Sequence, residues 1–367
     1  MKVAIVCDWL NGIGGAERVV LELHRMYPTA PIYTSQYDPS KIEWFKDADV
    51  RTTWLQHLPK RLKKFLPVLR AWSFSRLDLS DYDLVLSSTG AEAKGVKTGP
   101  TTVHICYCHS PTHYYWIRTA EYLKRPGFPF GLNWLARIGL RMLLEPLKRW
   151  DRQAARRPTV MLANSTHTQA MIQKYYHRDS TVVFPPVEID RFRMHGKPEP
   201  RHGYVVAGRQ TPYKRIDLAI AACNELKVPL VVIGNGPEHR RLEKLAERNV
   251  TFLTNVSDFE IINHFQTALA FIFPGKEDFG IVAVEAMAAG TPVIAYQKGG
   301  ALDFVTSRTG AFFPQQTVAS LVKAIESTQT RSFNYEAIAE HAATFSVPVF
   351  VQTMKAVIKA SMTKKEE

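Results

Sequence analysis

The sequence predicts an α/β protein made of two doubly wound parallel sheets in tandem, and three observations predict it. Apolar strand-like runs alternate with amphipathic helical patterns in both halves of the chain. Its 367 residues are enough for two domains of ordinary size, each with its own core. Between them lies STVVFPPVEIDRFRMHGKPEP, where prolines and polar residues break the periodicity. The expected division is 1–187, 188–345 and a C-terminal helix with a charged tail over 346–367, which could pack against either domain.

In the first half, KVAIVCDWL reads as a buried strand rather than a signal peptide, because no small-residue cleavage site follows it. GGAERVVLELHRMY is the first helix, and APIYTS, DLVLSST, VHICYCHS and VMLANS are later strands, the last leading into a helix from Thr166. In the second half the strands are YVVAGRQ, PLVVIGNG, VTFLTNV, LAFIFPG and PVIAY, and VFVQTMKAVIKASM closes the chain as a helix. A composition of 46% hydrophobic and 22% charged residues excludes a disordered chain. The absence of an apolar run of about 18 residues excludes a spanning helix. Cys7, Cys106, Cys108 and Cys223 fit neither a zinc spacing nor a disulfide framework, and read as reduced thiols in a cytoplasmic protein.

Charge is unevenly spread. Residues 1–187 hold 26 Lys and Arg against 15 Asp and Glu, whereas 188–367 hold 21 against 19. A basic first half suits an anionic partner, and no nucleic-acid motif accompanies it. The segments 60–76 and 134–157 mix basic residues with Leu, Phe and Trp at helical spacing. Trp134, Leu135, Ile138, Met142, Leu143 and Leu147 fall on one helix face, either against a core or in a membrane interface. Lys60, Arg61, Lys63, Lys64 and Trp72 are the candidates for facing a membrane or an acceptor.

Three stretches carry chemistry. NGIGGAE, with Gly12, Gly14 and Gly15, joins a strand to a helix, where glycine permits positive φ and a helix start favours an anion. A tight turn and a ligand loop both fit it, and the dinucleotide fingerprint fails at its third glycine. VAGRQTPYKR places Arg209 and Lys214 after a strand, where two cations can neutralise a diphosphate. GKEDFGIVAVEAMAAGTPVIA places Glu277 and Asp278 at a helix start, with the amides of Phe279, Gly280 and Ile281 at its positive end. Glu285 lies inside an otherwise apolar helix, where a carboxylate needs a partner. Glu277 and Glu285 could also be the acid/base pair of a glycosidase, which would leave Arg209 and Lys214 without a role.

Taken together, Gly14-Gly15, Arg209 and Lys214, GNGPE at 234–238, the E-x7-E of Glu277 and Glu285, and AAGTPVIA resemble retaining glycosyltransferases of family 4, with the GT-B architecture of two Rossmann-like domains facing a central cleft. CYCHSPTHYYW, EDFGIVAVEAMAAGTPVIAYQKGGALD and LANSTHTQ look closest to the bacterial mannosyltransferase-like branch that builds lipid-linked polysaccharides. The resemblance covers about the first 310 residues and implies roles residue by residue. Arg209 and Lys214 would hold the donor diphosphate, Glu285 the ribose hydroxyls, and Glu277 the sugar ring. The amides of 279–281 would face the leaving phosphate, with Gly14 and Gly15 approaching it from the opposite wall. His109, or else His113, would lie near the reactive carbon. Gln210 stands where many relatives have an aliphatic residue.

The implied reaction moves a hexose, mannose from GDP-mannose, to a lipid-linked saccharide on the cytoplasmic face of a membrane. A UDP-sugar is the alternative donor, and an epimerase or a non-catalytic nucleotide-sugar-binding protein the alternative class. No D-x-D stands beside a suitable strand end, so neither a metal nor a cofactor is expected.

Overall fold

A computed structural model describes residues 1–59, 67–119, 133–193 and 200–366. The chain divides into two compact units, Met1–Pro185 with Phe350–Glu367, and Pro186–Val349.

The first unit holds seven strands: β1 Val3–Cys7, β2 Ile32–Thr34, β3 Val50–Thr52, β4 Leu84–Thr89, β5 Val103–Cys108, β6 Val160–Ala163 and β7 Thr181–Val182. They pair in the order β3-β2-β1-β4-β5-β6-β7, and every pairing is parallel. The chain therefore builds outward from β1 in one direction and then returns to build from β4 in the other. Every residue of β1, β4 and β5 is buried, as expected of strands covered on both faces. The helices of this unit are α1 Gly15–Met26, α2 Pro67–Arg76, α3 His113–Trp116, α4 Asn133–Ala154 and α5 Thr166–Tyr176.

The second unit holds β8 Tyr204–Ala207, β9 Leu230–Ile233, β10 Val250–Leu253, β11 Ala270–Phe273, β12 Val293–Tyr296 and β13 Gly310–Phe313. Their order is β10-β9-β8-β11-β12-β13, again all parallel. Its helices are α6 Ile189–Phe192, α7 Ile216–Leu226, α8 His239–Glu243, α9 Asp258–Thr267, α10 Ile281–Ala288, α11 Val318–Gln329 and α12 Tyr335–Ala343. The last helix, α13 Val347–Glu366, sends Phe350, Met354 and Ile358 into the core built on β1, β4 and β5.

The mixed apolar and basic helix α4 divides along its length. Ile138, Met142 and Leu143 are exposed, and Leu147 is buried. Trp134 and Leu135 lie outside the described side chains. The C-terminal half docks through Asp151, which is fully buried and pairs with Lys94 at 2.6 Å. It also accepts hydrogen bonds from Thr112, Trp116 and Tyr176. A buried ion pair persists only when its remaining valences are met this way. All four cysteines are free and buried. Burial pushes the Cys106 thiol up to about 11 and the Cys223 thiol up to about 12, which makes both poor nucleophiles.

Phe350 meets the Tyr107 ring of β5 edge-on, with centroids 5.9 Å apart. Phe350→Ala is expected to destabilise the chain by about 3–5 kcal/mol, read as a lowered urea midpoint. An unchanged midpoint would mean that α13 contributes nothing to this core.

Candidate functional site

In an open parallel sheet, ligands bind beyond the carboxyl ends of the strands, where successive crossovers diverge. In the second unit that point lies between β8 and β11, and the segments leaving these two strands carry the cations and acids singled out above.

Past β8 the ladder continues, with Gly208 N–H donating to Ile233 O at 3.0 Å and Gln210 N–H to Asn235 O at 2.9 Å. A 3₁₀ turn, Pro212–Lys214, follows, and Arg215 in the left-handed region starts α7. Past β11, the backbone at Gly275 lies so close that a Cβ would stand 2.9 Å from Lys214 Cα. Lys214 Nζ donates to Glu277 Oε1 at 2.6 Å, with side-chain exposures of 14% and 19%. Arg209, by contrast, is exposed and makes no ion pair among the described residues. The structure thus brings Lys214 and Glu277 together and leaves Arg209 available.

The segment 277–280 is shaped from beneath. Gly300 N–H donates to Glu277 O at 2.9 Å, and a Cβ at Gly300 would come within 2.3 Å of Phe279 Cα. Phe279 is buried, its ring 5.5 Å from Phe304 and 5.6 Å from Phe345. Gly280, at φ 115°, opens α10 without a side-chain cap. The first amides of α10 have no acceptor within the helix and lie at its positive end. Asp278 is half-buried, and Glu285 is buried in α10 at 5% exposure.

In the first unit the corresponding point lies between β1 and β4. Here the positive φ that glycine permits is not used. Among the described glycines, φ is positive at 203, 208, 234, 280, 290 and 299, not at Gly12, Gly14 or Gly15. Gly14 is extended, with φ −160° and ψ −176°. Its small size makes room for Glu17, whose Oε2 would lie 2.8 Å from a Cβ there. Burial and the neighbouring Asp8 raise the Glu17 carboxyl to about 7, against the pull of a hydrogen bond from its own amide. Asp8 itself is buried and accepts from Thr89 Oγ1, from Gly90 N–H at 2.9 Å and from Ala93 N–H at 2.8 Å, joining the ends of β1 and β4.

His109 follows β5, its Nε2 2.8 Å from Ser88 Oγ at the end of β4. His113 lies apart from that contact, at the start of α3. Lys60, Arg61, Lys63 and Lys64 lie outside the described residues. Trp72 is 46% exposed, edge-on to exposed Trp54 at 6.0 Å and beneath Arg76 at 4.4 Å.

Residues 188–344 match the family of glycosyl transferases, group 1. That segment is the second unit almost end to end, and this part of the chain matches that family. D-inositol 3-phosphate glycosyltransferase of Streptomyces scabiei is 31% identical over 183 residues, 41% of this chain and 41% of that protein. Mouse alpha-1,3/1,6-mannosyltransferase ALG2 is 27% identical over 203 residues, 45% of this chain and 49% of its own. The match therefore spans less than half the length of either relative. Two solved structures share the fold across the whole chain. Anabaena Alr3699/HepE in complex with UDP has a TM-score of 0.70 at 18% identity, covering 98% of this chain and 100% of that one. Sucrose-phosphate synthase from Thermosynechococcus elongatus has a TM-score of 0.72 at 17% identity, covering 99% and 100%. The architecture is GT-B.

The sequence does not single out Asp8 or Ser88, nor the backbone role of Gly299 and Gly300. Asp8, an acid closing the apolar run VAIVC, was the one legible signal among them. The pH dependence of Glu17 has a definite sign. Its protonated form is favoured by folding, so its contribution to stability is complete below about pH 4.5 and is lost as pH rises to about 7. Glu17→Gln should flatten that part of the Tm profile between about pH 5 and pH 8. A wild-type profile already flat there would place the carboxyl in water.

Proposed function

We propose that the protein is a retaining glycosyltransferase that moves a hexose, mannose from GDP-mannose, to a hydroxyl of a lipid-linked saccharide. The observation that carries this reading is the unpaired Arg209 beside the Lys214–Glu277 pair, at the β8/β11 switch point of a segment matching the group 1 glycosyl transferases. The alpha-1,3/1,6-mannosyltransferase among the relatives favours mannose. A UDP-sugar is the second reading, favoured by the UDP complex of the Anabaena protein.

The chemistry follows from charge. Breaking the bond between sugar and diphosphate leaves negative charge on the departing phosphate. Arg209, Lys214 and the amides of 279–281 stabilise that charge where it develops, so the reading needs no metal or cofactor. A departing phosphate oxygen takes the acceptor's proton on the same face, which retains the anomeric configuration without a separate base. Glu277 grips the sugar, Glu285 the ribose hydroxyls, and Asp278 lies beside them at the helix start. Gly14, Gly15 and His109 belong to the first unit, to which this reading gives the acceptor.

No helix of the described residues is long and apolar enough to cross a membrane. The protein is read as peripheral. Exposed Ile138, Met142 and Leu143 on α4, and separately Trp54, Trp72 and Arg76, support this reading, since apolar and cationic side chains of this kind suit an anionic interface.

Lys214→Ala should lower kcat/KM by roughly 100-fold, and Glu285→Ala should weaken donor binding by about tenfold. Transfer is measured by product formation from GDP- and UDP-sugars, and binding by thermal shift. Wild-type transfer rates in both variants would sink the assignment. Charge reversal at Lys60, Arg61, Lys63 and Lys64 should reduce binding to vesicles containing anionic lipid, and equal binding would remove the membrane role from that segment.

A further inference from the structure

Gln210, the departure from the family pattern, is fully buried one residue after exposed Arg209. Its backbone is held on both sides, its N–H donating to Asn235 O at 2.9 Å and its carbonyl accepting from Glu238 N–H at 3.1 Å. The segments touch without intervening side chain, since a Cβ at Gly236 would come within 2.5 Å of Gln210 O. The side-chain amide adds a third tie, with Nε2 donating to Gly234 O at 2.7 Å.

A carbonyl can only accept, so this contact fixes which end of the amide carries the hydrogens. Oε1 then faces His239 Nδ1 at 2.7 Å, and that nitrogen must carry a proton. His239 is the first residue of α8, its ring edge-on to Phe252 at 5.4 Å and its Nε2 3.3 Å from Glu243. An aliphatic residue at 210 would leave both Gly234 O and His239 Nδ1–H without this partner.

We propose that Gln210 and His239 are positioning residues for the nucleoside diphosphate. The amide clamps the Arg209 segment onto the 234–238 loop, and His239 Nδ1–H holds the amide in its productive orientation. This rests on the donor-site reading above. Arg209 can then stay exposed and unpaired on a backbone that does not shift when an anion arrives, so less ordering is required on binding.

The test is calorimetric titration of the full chain with GDP and with UDP, together with donor kinetics. His239→Ala should weaken nucleoside diphosphate binding roughly five- to tenfold, the loss appearing in donor KM rather than kcat, and should lower Tm by a few degrees because buried Gln210 Oε1 loses its donor. His239→Asn places an amide N–H close to the position of Nδ1–H and should restore affinity to within about twofold. Gln210→Leu should weaken binding further and also lower Tm, so the His239 pair decides. Wild-type affinity in His239→Ala overturns the proposal. His239→Asn as weak as His239→Ala also overturns it, since the ring packing on Phe252 would then be what matters. A wild-type chain that binds neither GDP nor UDP overturns the donor-site reading, and this proposal with it.

Discussion

The 2.6 Å contact between Lys214 and Glu277 ties together the two segments on which the donor-side chemistry depends. One segment leaves β8 and the other β11, strands that are neighbours in the sheet but 63 residues apart along the chain at this contact. The close approach at Gly275 and the hydrogen bond from Gly300 to Glu277 complete the constraint. Both rely on residues without a side chain, so the geometry is set by backbone contact rather than by rotamers.

The first unit solves the same problem differently. At its switch point Asp8 bridges β1 and β4 by accepting from the Thr89 hydroxyl and two backbone amides. Asp8 is buried and surrounded by donors that cannot leave, so it acts as a fixed strut. Lys214 and Glu277 keep 14% and 19% of their side chains exposed, and either can exchange its partner for a ligand group. The difference in exposure sets Glu277 apart from Asp8 more clearly than residue type does.

Legibility followed the same physics. Strands buried on both faces announce themselves as continuous apolar runs, and β1, β4, β5, β8, β9, β11 and β12 were read from such runs. Val50–Thr52 is partly exposed, Thr181–Val182 is two residues long and Gly310–Phe313 opens on glycine, so none produced a readable run. Arg209, Lys214, Glu277 and Glu285 were legible because each sits at a marked strand end or on an apolar helix. The Gln210–His239 bond was not, because it depends on how two loops align beyond paired strands. The reason for glycine at position 14 was not legible either. What that glycine accommodates is a carboxylate three residues on, which no turn signature encodes.

The ion pair also constrains how a diphosphate would enter. On the proposed reading Lys214 is already neutralised by Glu277, so an arriving dianion would meet exposed Arg209 and a lysine that must be shared. Sharing leaves Glu277 with an oxygen free to accept from a sugar hydroxyl, and the ligand that takes Lys214 is the one that supplies that hydroxyl. Free inorganic phosphate could compete for the lysine but offers no hydroxyl array to satisfy the carboxylate. On this reading the pair discriminates for a diphosphate joined to a sugar, since an anion alone leaves a half-buried acid without its partner. Glu285 is buried at 5% exposure, which on the same reading suits a fixed grip on ribose better than a mobile one on the reacting ring.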